Sequence, residues 1–214
     1  MKRLRLLVFV CVAALSLIIA ADALAVSPPP IPPGFYPAPP PPLGSPGPLQ
    51  STPLGLVQTS AAASGLSCYP TTIFQSDTNG YWVTSELGFA EPLTGMLRAR
   101  ADRAGPWEQW NWCFDSSTSK WSLQNNASGW WTSTEMGYTG NDHAMLRARS
   151  STIGPWEQYT VYCYGGKPAF VFWAKANGLY VTTEVGFSGN RYAMLRARAS
   201  TIGNWQVFVG FPGC

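Results

Sequence analysis

The pentapeptide Met96-Leu97-Arg98-Ala99-Arg100 returns as Met145-Leu146-Arg147-Ala148-Arg149 and again as Met194-Leu195-Arg196-Ala197-Arg198, each copy 49 residues after the last. The register extends outward on both sides. Upstream stand Gly80, Gly129 and Gly178, followed six residues later by Glu86, Glu135 and Glu184 and then by Gly88, Gly137 and Gly186. Downstream come Gly105-Pro106-Trp107, Gly154-Pro155-Trp156 and Gly203-Asn204-Trp205. Ten columns of this 31-residue window are identical in all three copies, so the chain carries a tandem repeat. Units this small cannot bury an apolar face alone and must share a core with their neighbours.

Each unit reads as four short strands. In the third, Ala169 to Trp173, Leu179 to Thr183, Ala193 to Arg198 and Gln206 to Val209 are apolar or alternating runs, punctuated by Asn177-Gly178, Gly189-Asn190 and Gly203-Asn204. No window sustains a helical period. Twelve short strands in three like units predict an all-β fold, a β-trefoil: a barrel capped by three hairpins, with repeats of about 68–116, 117–165 and 166–214. An open solenoid would leave two exposed edges, and a propeller needs four blades or more.

Residues 1–25 read as a signal peptide. Lys2, Arg3 and Arg5 form a basic start, Leu6 to Ala20 an apolar run, and Ala23-Leu24-Ala25 a small-x-small cleavage site. Asp22 and that site favour cleavage over a retained anchor, leaving no membrane segment in a mature chain from Val26. Residues 26–67 read as a disordered linker. The stretch up to about residue 55 holds 13 of the 19 prolines and predicts a polyproline II spacer. An Ala/Ser-rich, flexible continuation follows.

The domain at 68–214 holds all ten tryptophans, and the mature chain carries eleven basic and ten acidic residues. That near-neutrality disfavours a nucleic-acid partner, whose phosphates call for a basic excess. Cys11 falls in the signal segment, and the four remaining cysteines fit two disulfides in a secreted chain. Cys113, Cys163 and Cys214 each follow the last strand of a repeat, while Cys68 precedes the first strand of the first. Because first and last strands adjoin in a trefoil, the expected pairs are Cys68–Cys214 and Cys113–Cys163. One histidine and no Cys-x-x-Cys spacing argue against a metal site, and no cofactor is expected.

Alternation along the third strands places Leu97, Leu146 and Leu195 on one face with Ala99, Ala148 and Ala197, and the arginines on the other. The small alanines suit a crowded threefold axis. The six arginines read as structural, with Glu86 and Glu108, then Glu135 and Glu157, as acidic neighbours; Gln206 replaces the last of these in the third repeat, which would make it the weak one. Trp107, Trp156 and Trp205 read as core plugs. In the second strands Trp82, Trp131 and Tyr180 share parity with Glu86, Glu135 and Glu184. An aromatic ring beside a carboxylate suits sugar recognition, since the ring face stacks on C–H groups and the acid accepts hydroxyl hydrogen bonds. The same pattern can also simply cap a barrel. Asn126-Ala127-Ser128 is a glycosylation sequon on a turn of repeat two.

Gly178-Leu179-Tyr180-Val181-Thr182-Thr183-Glu184, Leu195-Arg196-Ala197-Arg198, Ile202-Gly203-Asn204-Trp205 and Ile153-Gly154-Pro155-Trp156-Glu157 together resemble the fascin-like β-trefoil domain, over about residues 68–214. Fascins themselves bundle actin in the cytosol with several trefoils. One trefoil behind an export signal makes actin bundling implausible here, and the resemblance instead implies a secreted single domain of the kind suspected of sugar binding. Ricin-type trefoils are a related comparison, but their Gln-x-Trp motif is absent. The expected function is a non-catalytic, lectin-like module, monomeric, extracellular or wall-associated, binding a polysaccharide or glycoprotein glycan through up to three related sites. The alternative is an inhibitory, protein-binding or structural wall protein. Catalysis is disfavoured, because a glycosidase needs two carboxyls about 5–10 Å apart and the three equivalent glutamates sit in different repeats.

Overall fold

The computed structural model describes residues 30–42, 45, 49–52, 55–58 and 65–214; the signal segment at 1–25 lies outside them. Among the described residues sixteen strands run in chain order. Before the repeats come β1 (Phe35–Pro37) and the hairpin of β2 (Leu49–Thr52) with β3 (Gly55–Gln58). The first repeat contains β4 (Leu66–Thr72), β5 (Gln75–Ser76), β6 (Trp82–Glu86), β7 (Met96–Ala101) and β8 (Trp110–Asp115). The second contains β9 (Lys120–Asn125), β10 (Trp131–Thr134), β11 (Leu146–Ser150) and β12 (Tyr159–Tyr164). The third contains β13 (Ala169–Ala174), β14 (Leu179–Glu184), β15 (Met194–Ala199) and β16 (Phe208–Val209). Among the described residues the only helices are single 3-10 turns.

The pairings give the trefoil plan. Within each repeat the first strand meets the fourth, at Thr72↔Trp110, Trp121↔Tyr159 and Phe170↔Phe208. Each fourth strand then pairs with the first strand of the next repeat, β8 with β9, β12 with β13 and β16 with β5, which closes a barrel. Second and third strands form the hairpins β6–β7, β10–β11 and β14–β15, bulged at the equivalent places Trp82/Val83, Trp131/Thr132 and Tyr180/Val181. A bulge adds local twist and bends the hairpin. The repeated glycine ahead of each hairpin has a local cause: Gly80, Gly129 and Gly178 sit at φ +72°, +70° and +74°, where a Cβ is strained.

The hairpins meet around the threefold axis through the starts of their third strands, with Arg147 opposite Met96, Met194 opposite Arg98 and Met145 opposite Arg196. Small residues let these backbones approach. The N–H groups of Ala99, Ala148 and Ala197 donate to the carbonyls of Ala193, Gly95 and Ala144 in the neighbouring repeat, at 3.0, 2.8 and 3.0 Å. Met96, Met145 and Met194 are fully buried together there. On the barrel side Leu97, Leu146 and Leu195 join an aromatic core of Phe74, Trp112, Phe170, Phe172 and Phe208. Phe211 packs edge-on to Tyr69, Trp112 and Trp121, with ring centres 5.8, 5.4 and 5.0 Å away.

Part of the expected linker belongs to the domain. β1 pairs with β12, Phe35 opposite Tyr164 and Pro37 opposite Tyr162. Ala38 is buried and donates its N–H to Val161 O at 2.9 Å, and the Tyr69 hydroxyl donates to Pro40 O at 3.3 Å. Leu66–Cys68 pairs with β8 in the equivalent register, 49 residues earlier in the partner strand. The arm thus takes on the second repeat the place that β4 takes on the first. Proline at this edge is tolerated because its missing N–H is not needed by an inner neighbour.

The disulfides are Cys68–Cys113 and Cys163–Cys214, with Cα atoms 4.0 and 5.3 Å apart, which corrects both expected pairs, Cys68–Cys214 and Cys113–Cys163. The barrel does close between the first repeat's opening strand and β16, but at Gln75 and Ser76. Cys68 lies upstream, where β4 runs along β8 and stands directly opposite Cys113.

Candidate functional site

The paired aromatics and acids of the second strands point inward. Glu86, Glu135 and Glu184 are only 1, 1 and 2% exposed. Each carboxylate is gripped by the second arginine of its own repeat: Glu86 by Arg100, Glu135 by Arg149 and Glu184 by Arg198. These hydrogen bonds hold the guanidinium of Arg100 and of Arg149 above the usual arginine range. Trp131 packs on the Cys68–Cys113 bridge, Tyr180 packs with Tyr162, Val171 and Trp173, and Trp82 is half-buried. The sugar-contact reading is therefore replaced by a structural one for Glu86, Trp131, Glu135, Tyr180 and Glu184. A carboxylate folded under the sheet needs a cation, and the strand parity that brings ring and acid together faces the interior.

The other arginines tie the repeats to one another. Arg98, Arg147 and Arg196 each donate Nε–H to a carbonyl of the adjoining repeat, Tyr192 O, Thr94 O and His143 O, at 2.9, 2.8 and 3.0 Å. Burial lowers the pKa of Arg98 and of Arg196. Glu108 and Glu157 serve neither set. Glu108 accepts the Gly105 N–H at 2.8 Å and Glu157 accepts the Gly154 N–H at 2.7 Å, capping the 3-10 turns Pro106–Glu108 and Pro155–Glu157. Gln206 does the same work through its amide oxygen, accepting the Gly203 N–H at 2.7 Å while its Nε2 donates to Thr182 Oγ1 at 2.9 Å. The change from Glu to Gln therefore does not weaken the third repeat in the way the sequence suggested.

These capped turns carry the residues that reach solvent. Turning the Glu or Gln inward turns the preceding residue outward, and Trp107, Trp156 and Trp205 are 41, 41 and 39% exposed. They are not core plugs. Their rings lie near the hairpin turns: a Cβ at Gly88 would sit 3.8 Å from the Trp107 ring, and one at Gly186 would sit 4.0 Å from that of Trp205. At Gly137 a Cβ would meet nothing within 4 Å. Three large aromatic side chains are thus partly exposed at equivalent places in the three repeats.

Trp130 and Tyr81, one repeat apart and 43 and 40% exposed, add to this display. Nothing in the sequence analysis had singled them out. The available signal was strand parity, since each precedes the inward-facing Trp131 or Trp82 by one residue. Asn126 of the sequon is half-buried on a turn, its N–H bonded to Gln109 O at 3.0 Å. Among the described residues no cluster of His, Cys, Asp and Glu could hold a metal ion.

The fold is similar to that of ThreeFoil, a designed threefold-symmetric protein, at 16% identity and a TM-score of 0.53, covering 69% of this chain and 98% of that one. It is similar to the Rhizoctonia solani agglutinin at 13% identity and a TM-score of 0.50, covering 67% and 96%. A mosquitocidal holotoxin matches at 13% identity and a TM-score of 0.53 over 73% of this chain but 18% of its own. At these identities the likeness is one of fold. No family model matches the chain, and no curated protein matches it significantly, so the fascin-like resemblance extends no further than its motifs.

Proposed function

We propose that this protein is a secreted, non-catalytic carbohydrate-binding module that uses the exposed tryptophans of its capped turns as stacking platforms for a repeating polysaccharide or glycan. The observation that carries this reading is the exposure of Trp107, Trp156 and Trp205 at equivalent places. Tryptophan is highly buried on average, which makes three equivalent, partly open indole faces the first candidates for ligand contact. An indole face is matched to the C–H face of a sugar, and three weak sites on one rigid body gain avidity on a polymer that also repeats. The agglutinin with the same fold supports the class of ligand, and two disulfides favour an oxidising, extracytoplasmic setting.

The buried glutamates supply no catalytic pair, since each is committed to its own arginine. The test is retention of the full chain on insoluble cellulose, chitin, β-1,3-glucan, xylan and mannan, with F-actin as a control. We expect saturable retention on one polymer. Replacing Trp107, Trp156 and Trp205 together by alanine should reduce it at least tenfold, as about 1 kcal/mol per ring implies. Equal retention of the triple variant would overturn the assignment of these rings.

A further inference from the structure

A cleft lies at the junction of repeats one and two. Its volume is about 300 Å³, and its walls include Leu87, Glu91 and Thr94 from the loop between β6 and β7, and Trp130, Arg147 and Arg149 from the β10–β11 hairpin. Trp130 stands at the rim, 43% exposed. Arg147, almost fully buried, donates from Nη2 to both oxygens of Glu91 at 2.9 and 2.8 Å, while 71% of the Glu91 side chain stays open to solvent. Arg149 commits Nε and Nη2 to Glu135, and its side chain is 49% exposed.

The set is specific to this junction. One and two repeats after Glu91 stand Gly140 and Gly189, and the positions equivalent to Trp130 are Tyr81 and Leu179. The threefold scaffold did not require a carboxylate beside an indole here, so its own symmetry does not account for them.

We propose that this cleft binds one neutral pyranose ring. This rests on the carbohydrate reading above and adds a separate site to it. Trp130 supplies the stacking face. Glu91, held rigid from below by Arg147, accepts hydrogen bonds from two neighbouring sugar hydroxyls. Arg149 lines the far side as a polar partner, and the Thr94 hydroxyl, which donates its proton to Phe89 O, is left to accept only. The volume lies at the small end of ligand sites and suits a single ring better than an oligosaccharide. Neutrality follows from the charges present. Arg147 is matched by Glu91 and Arg149 by Glu135, so a uronate would meet the exposed Glu91 carboxylate with no cation left uncommitted among these four.

The test is saturation-transfer NMR of the disulfide-bonded full chain with the methyl glycosides of glucose, galactose, mannose and N-acetylglucosamine, with glucuronic acid as the charged comparator. We expect transfer to at least one neutral glycoside and a dissociation constant raised tenfold or more by Trp130→Ala and several-fold by Glu91→Gln. Both changes are at the surface, and melting points within a few degrees of the parent would confirm intact folds. The Trp107/Trp156/Trp205 triple variant should bind the monosaccharide like the parent. Parent-like binding by Trp130→Ala and Glu91→Gln, a preference for glucuronic acid, or no transfer from any glycoside would each overturn the proposal. Polysaccharide retention that survives these outcomes would leave the wider carbohydrate reading standing, whereas its absence would remove both.

Discussion

Glu135 is 1% exposed with Arg149 set against it, and the pair is easier to break than to replace. Removing one member strands the other, which costs about 3–5 kcal/mol for a fully buried pair; the half-exposed arginine brings the expectation here to about 3. Arg149→Met should lower unfolding free energy by that amount in urea titrations, and adding Glu135→Gln should recover most of it. Recovery of none would mean that Arg149 acts through packing alone. The arginine columns were readable in the sequence as a structural set with acidic neighbours, and so was their place on the strand face opposite Leu97 and its equivalents. Exposure was not readable for the tryptophans. Whether Trp107 points in or out depends on Glu108 reaching back three residues to the Gly105 N–H, and composition gives the same Gly-Pro-Trp-Glu either way. The ring-and-acid columns misled for the converse reason, since proximity of Trp82 to Glu86 along a strand says nothing of which layer covers them.

The element whose role was hardest to foresee is β1. Its prolines forbid a self-contained ladder, and its partner strand lies more than 120 residues away in sequence, so no local pattern announces the pairing. The one hint is Phe35-Tyr36, the only aromatic residues of the proline-rich stretch. In place, Phe35 meets Tyr164 edge-on at 4.9 Å, and Ala38 joins the main core cluster. Deleting residues 26–42 should therefore lower stability, by about 2 kcal/mol at ~25 cal/mol per Å² of apolar surface re-exposed, read as a shifted denaturation midpoint. An unchanged midpoint would assign the arm to spacing only. The first three strands of the third repeat were legible almost to the residue, β13 and β14 especially, because period-two alternation and turn glycines are local signals. Gln206, which closes the 3-10 turn at Asn204–Gln206, was read as the start of the last strand, since a single capped turn leaves no periodicity to detect.

At the scale of the whole molecule the three junctions differ although the repeats match. Repeats one and two are joined by Arg147 and Glu91, and repeats two and three by Arg191, whose Nε and Nη2 lie 2.6 and 2.7 Å from the Asp142 carboxylate. Between three and one, Arg98 reaches the Tyr192 and Gly189 carbonyls. Hydrogen bonding to Arg191 holds the Asp142 carboxyl below its ordinary value. Its contribution is thus present above the unfolded carboxylate pKa, near 4, and is lost as the pH falls through the lower folded value. Asp142→Asn should cost at most about 1 kcal/mol at pH 7, because the pair is partly exposed, and should flatten the acid limb of a stability–pH curve below about pH 4. An unchanged acid limb would show that the pair contributes nothing to cohesion. The disulfides impose a different asymmetry. One bridge closes residues 68–113 and the other 163–214, leaving residues 114–162, the bulk of the middle repeat, outside both closed loops. If flow or a tethering surface pulled on the two ends, tension would pass straight through both bridges. Only the stretch from Cys113 to Cys163 could pay out, roughly 170 Å at about 3.4 Å per residue instead of roughly 500 Å for the uncrosslinked domain. The molecule would then act as a tether with a short, fixed reach whose fuse is its central repeat.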